Sequence, residues 1–106
     1  MSEQPTLKAA FIFIAPEGDP VQHKSWVKTP MVELLAIAVK DYEGAVQLSK
    51  DLVAQGIKAI ELCGGFGNVG TAKVVEAVKG QIPVGVVRFD AHPGLAFKSG
   101  DDIFSK

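Results

Sequence analysis

The run Ile57-Lys58-Ala59-Ile60-Glu61-Leu62-Cys63 opens directly into Gly64-Gly65-Phe66-Gly67-Asn68-Val69-Gly70. Ala72, Val74, Val75 and Val78 then fall at helical spacing across Thr71 to Lys79, Gly80 ends the pattern, and Pro83 follows shortly after. A further apolar run occupies Ile82 to Arg88. Strand, glycine-rich turn, helix, strand is a crossover unit, and crossover units make parallel neighbours.

Working towards the N-terminus, Ala45, Val46, Leu48, Leu52 and Val53 repeat at helical spacing, with Asp41 placed to cap the start and Gly56 the end. Val32 to Val39 and Lys8 to Ala15 are apolar runs in front of that helix. They are nearly continuous rather than alternating, the habit of strands buried on both faces of a parallel sheet. The expected fold class is therefore α/β: one small domain over residues 1–106, a four-stranded mainly parallel sheet, and the order β-β-α-β-α-β. The stretch from Pro16 to Met31, holding Glu17, Asp19, His23 and Trp26, reads as one long loop, and loops of that length are usually lids or interface arms. Residues 1–7 and 99–106 read as flexible or interface arms.

Composition narrows the partners. The 106 residues are 47% hydrophobic and 22% charged, the balance of a chain that folds around one core. A net charge of -1 lacks the basic field that nucleic acid or an anionic membrane selects. No nucleic-acid or membrane partner is expected. No apolar stretch reaches the roughly 20 residues that span a bilayer. A single cysteine, Cys63, excludes an internal disulfide, and Met1-Ser2-Glu3-Gln4-Pro5 has no secretory pattern, so a cytoplasmic location is expected. If the last three strands lie in sequential order, right-handed crossovers put both helices on one face of the sheet. The other face then needs a cover, and a homo-oligomer is the expected one.

Ligands of parallel sheets gather beyond the carboxyl ends of the strands. Gly64, Gly65, Gly67 and Gly70 stand there, before a helix whose free N–H groups favour an anion. Gly65, Gly67 and Gly70 also match the dinucleotide pattern G-x-G-x-x-G, with Asp90 beyond the next strand, although no later strand completes a dinucleotide crevice. Glu61 is a carboxylate within an apolar strand, to be paired with Arg88 or held protonated for acid–base work. Arg88, Asp90 and His92 project to one side if the chain stays extended: Arg88 to bind an anion, His92 to move a proton, Asp90 to orient it. Cys63, at a strand end before a helix, is either a nucleophile or a small buried hydrophobe. No metal-ligand spacing is present, and no cofactor is specified.

Glu61-Leu62-Cys63-Gly64-Gly65-Phe66-Gly67 and Gly85-Val86-Val87-Arg88-Phe89-Asp90-Ala91-His92-Pro93-Gly94 give the chain a resemblance to a family of small prokaryotic α/β proteins without an assigned activity. The resemblance runs from Ala10 to about Phe104 and implies a stand-alone bacterial or archaeal domain. It carries no catalytic role to any residue. Ile57 to Arg88 is also loosely similar to the strand, glycine loop, helix, strand units of phosphate-binding (β/α) barrels. The functional expectation is a domain that binds an anionic metabolite at the ends of its last two strands, with catalysis left open. The alternative is a non-enzymatic, homo-oligomeric interaction module.

Overall fold

The computed structural model describes residues 6–105. The elements are β1 (Leu7–Ile14), β2 (Lys24–Lys28), β3 (Val32–Val39), α1 (Tyr42–Ala54), β4 (Ala59–Leu62), α2 (Asn68–Val78), β5 (Val84–Val86), a 3-10 turn (Pro93–Leu95) and α3 (Gly100–Phe104). They build one mostly parallel sheet in the order β2-β3-β1-β4-β5. β1 is parallel to β3 and β4, β4 is parallel to β5, and β2 alone is antiparallel, to β3.

The α/β class is as expected, but the sheet has five strands rather than four, and the expected element order lacks β2 and α3. β2 lies inside the stretch expected to be loop. Every residue of Lys24-Ser25-Trp26-Val27-Lys28 is exposed, so no apolar run announces it. A turn at Thr29, whose hydroxyl accepts from the Val32 N–H at 3.1 Å, folds it back on β3, and lysines at both ends protect this sheet edge. α2 begins at Asn68, inside the glycine run, rather than at Thr71. Residues 1–5 of the expected N-terminal arm lie outside the described residues, and Leu7 already belongs to β1. Residues 99–105 of the expected C-terminal arm contain α3, which rests on α2.

Register explains the core. Ala10 and Ile12 of β1 stand beside Leu35 and Ile37 of β3 and beside Ile60 and Leu62 of β4, and all point to the face that α1 and α2 cover. Leu48 and Leu52 of α1, Val74 and Val78 of α2, and Phe66 close that layer. Each fully buried Ile, Leu or Phe there contributes about 1.5–3 kcal/mol. The alternate residues form the opposite face: Ala9, Phe11 and Phe13 with Leu34, Ala36 and Ala38, and Glu61 between Phe11 and Gly85. Neither α1 nor α2 covers it, so Phe11 and Phe13 remain partly open. Among the described residues no helix is long and apolar enough to cross a membrane.

Candidate functional site

The connections decide where a site can form. β1 leads out over the end of β3 towards the β2 edge, whereas β4 leads the other way into α2. The carboxyl ends of β1 and β4 therefore flank a crevice, the place where open α/β sheets bind ligands. The departing β1 loop is tied to β3 by Ala15 N–H to the Val39 carbonyl at 3.0 Å. A cavity of about 420 Å³ fills the crevice. Ile14, Cys63 and Gly65 come from the strand ends, Pro16 and Lys40 from the neighbouring loops, His92, Gly94 and Leu95 from the 3-10 turn, and Ile103 and Phe104 from α3. A larger hollow, about 570 Å³, is a groove between the outer sides of α1 and α2. Helix side chains and the helix-end residue Lys79 line it, without the convergence of strand ends that marks the crevice.

Within the crevice the Cys63 sulfur accepts from the N–H groups of Ile14 (3.4 Å) and Gly65 (3.3 Å), which fixes it at the junction of β1 and β4. His92 Nδ1 accepts from the Gly94 N–H at 2.9 Å, and the ring meets Phe89 edge-on at 4.8 Å. With Nδ1 engaged as an acceptor, the neutral imidazole carries its proton on Nε2, which is then a donor. Lys40, at the end of β3, adds an ammonium.

The glycine-rich turn has a different occupant. α2 is capped by Gly67, which offers no side-chain oxygen to the first N–H groups of the helix. Asp101 supplies it from α3. Its Oδ2 accepts from the Val69 N–H at 2.9 Å, and its Oδ1 accepts from the Gly70 N–H at 3.2 Å and from the Tyr42 hydroxyl at 2.8 Å. Burial raises the Asp101 carboxyl, but the hydrogen bonds from Val69, Tyr42 and Gly70 outweigh it and hold the group below its ordinary value. Tyr42 in turn accepts from the Gly67 N–H at 2.9 Å and stacks on Phe66, with centroids 5.6 Å apart. Burial pushes its phenol well above the ordinary range; the Gly67 hydrogen bond opposes that shift and the Asp101 carboxylate adds to it.

The glycines are small for this reason. A Cβ at Gly67 would fall on the Asp101 carboxylate, one at Gly70 on the Tyr42 ring, and one at Gly64 on the Phe89 ring. The position expected for a ligand anion, or for the pyrophosphate of a dinucleotide, holds a carboxylate of the chain itself. Of the four glycines, only Gly65 lines the crevice.

The other expected residues divide. Cys63 and His92 share the crevice. Arg88 and Asp90 do not line it; they pair with each other at 3.0 Å, with side chains 67% and 79% exposed. Asp90 therefore does not orient His92, whose Nδ1 is held by Gly94. The expected Glu61–Arg88 pair is absent, because Arg88 pairs with Asp90 and Glu61 lies exposed opposite Gly85 on the open face. An exposed carboxylate keeps its hydration and needs no cation beside it. The sequence readings above do not single out Lys40 in the crevice, or Tyr42 and Asp101 at the start of α2. The signal for Asp101 was available, since Ser99-Gly100-Asp101-Asp102 is a helix start, with Ser99 Oγ accepting from the Asp101 N–H at 3.2 Å.

Comparison with curated proteins returns no match. Comparison with solved structures returns none either. A family model covers residues 7–102, nearly the whole described chain, and the protein accordingly belongs to that family of unknown function, DUF6506.

Proposed function

We propose that the chain is a prokaryotic, cytoplasmic small-molecule-binding domain, that its site is the crevice between β1 and β4, and that its ligand is an anionic metabolite with an apolar body. One observation carries the reading: the cavity lies where the two connections part, and its lining joins Lys40, Cys63 and His92 to Ile14, Leu95 and Phe104. The Lys40 ammonium attracts the anion and the His92 Nε2–H gives it a directional partner. The apolar remainder favours an acid carried on a hydrocarbon frame over a bare inorganic anion.

Thermal denaturation against aromatic and branched-chain carboxylates, sugar phosphates, inorganic phosphate, and nicotinamide and adenine nucleotides tests this. A ligand at about a hundred times its Kd adds about 2.7 kcal/mol. At roughly 4–8 °C per kcal/mol for a domain of this length, that is a rise of about 10–20 °C. The rise should be greatest for the apolar carboxylates and should shrink in Lys40→Ala. A panel without any shift, or a shift for nucleotides alone, overturns the reading.

A second reading concerns the open sheet face. Phe11 and Phe13 rise there among Ala9, Ala36, Ala38 and Gly85, side chains small enough to let a second sheet approach at about 10 Å. We propose a second copy of the chain as the cover, giving a homo-oligomer. Light scattering at micromolar concentration should find a dimer or larger species that Phe11→Glu dissociates, whereas a monomer at every concentration refutes it.

A further inference from the structure

Resting on the reading of the crevice as a binding site, we propose that α3 is a latched lid over it, with Asp101 as the latch that controls access to the cavity. The two walls contributed by the C-terminal stretch are held differently. The wall of His92, Gly94 and Leu95 is a closed knuckle: His92 N–H donates to the Lys98 carbonyl at 3.0 Å, and Phe97 N–H donates to the His92 carbonyl at 2.8 Å. Within it Ala96 and Phe97 both take left-handed backbone, φ 56° and 61°, which turns the chain back over the cavity.

The wall of Ile103 and Phe104 belongs to α3, whose five residues are too few to persist as a helix without outside contacts. Those contacts are specific, and through Phe104 they extend to the edge of the hydrophobic core. Asp101 grips the Val69 and Gly70 N–H groups and the Tyr42 hydroxyl, Phe104 lies on the Tyr42 ring at 5.5 Å, and Gly100 sits so close to the Gly65 carbonyl that a Cβ there would overlap it. Releasing Asp101 frees α3 from α2 and removes Ile103 and Phe104 from the mouth of the cavity, while the knuckle and the strand ends stay in place. Because the latch acts on the start of α2 and the cavity opens between β1 and β4, the lid can move without disturbing Lys40, Cys63 or His92.

The single cysteine makes the lid measurable without any ligand, since Cys63 lines the covered cavity. The rate of Cys63 modification by dithionitrobenzoate, an aromatic disulfide reagent, reads how often the cavity is open. Asp101→Asn, which weakens the latch, and Gly100→Ala, which lifts α3 sterically, should each speed labelling roughly tenfold or more. Ile57→Val lowers global stability from the far end of β4 and should leave the rate unchanged. The proposal is overturned if all three variants label in proportion to their urea midpoints, since access then comes from global unfolding. It is equally overturned if the unmodified protein labels as fast as a free thiol. Failure of the ligand panel would remove the binding site but not alter this readout, so the two failures are distinguishable.

Discussion

Two places at the carboxyl end of the sheet offer backbone donors, and they have opposite fates. At the start of α2 the donors are consumed: Asp101 takes the Val69 and Gly70 amides, Tyr42 takes that of Gly67, and rings of Tyr42 and Phe89 fill the space beside Gly70 and Gly64. Between β1 and β4 a cavity of about 420 Å³ is left, with only the Cys63 sulfur drawing on the amides of Ile14 and Gly65. A helix N-terminus behind a glycine-rich turn is an anion site only when the chain has no anion of its own to put there. The place with the stronger local motif is satisfied from within, and the place set by topology is hollow.

One methyl group added to each region should have very different costs. Gly70→Ala puts a Cβ into the Tyr42 ring and should cost about 3 kcal/mol, because neither the ring nor α2 has room to shift without losing the Asp101 and Gly67 hydrogen bonds. Gly65→Ala places its Cβ 3.4 Å from the Cys63 sulfur and 3.6 Å from Ile14 Cβ, ordinary contact distances, and should cost less than about 0.5 kcal/mol. Urea midpoints at a common slope measure both. Equal losses would mean that the crevice is as tightly filled as the start of α2.

A smaller effect tests the latch electrostatically. The Asp101 carboxyl is held below its ordinary value of 3.8, so its contribution to stability is complete above that value and is lost as pH falls through the lowered one. Asp101→Asn should therefore cost about 1–2 kcal/mol at neutral pH, the range of a helix cap with charge assistance. The difference from the unmodified protein should close as pH falls below 3.8 and through the lowered value, where the native carboxyl gains its proton. Asp19, also held low by the Val21 N–H, is unchanged in both proteins and cancels from the comparison. A difference that stays constant down the acid limb would mean that the carboxylate charge contributes nothing to the latch.

Much of the fold was legible because its signals are local. The apolar run Val32 to Val39 has the same bounds as β3, and Asp41 caps α1 through the Gly44 N–H at 2.8 Å. β2 escaped because an edge strand with every residue exposed has no buried face to give it a period. The central place of β1 escaped because periodicity reports that Ala10 and Ile12 are buried, not which strands bury them. The site was legible only in part for the same reason. Cys63 at the end of β4 and His92 beyond the last strand are marked by local sequence and both line the crevice, but the partition of Glu61 to the open face and of Asp101 to the start of α2 depends on contacts between segments far apart in sequence.

The smallest predicted effect bears most directly on which region is the site. Arg88, expected to bind the anion, makes one ion pair among the described residues, with Asp90, and both side chains are mostly in solvent. Such pairs are worth little, because each partner keeps most of its hydration and the long arginine side chain loses freedom in meeting the carboxylate. Arg88→Ala should move the urea midpoint by less than about 0.5 kcal/mol equivalent and leave the thermal shift given by an apolar carboxylate intact, whereas Lys40→Ala should reduce that shift. Measured together on one ligand, the two variants weigh the β5 end of the sheet against the β1–β4 crevice. If the shift were lost with Arg88 and kept without Lys40, the ligand would lie beside Asn68, Thr71 and Ser99, which line a smaller hollow of about 100 Å³ with Arg88 and Asp90, and the crevice would be a packing defect.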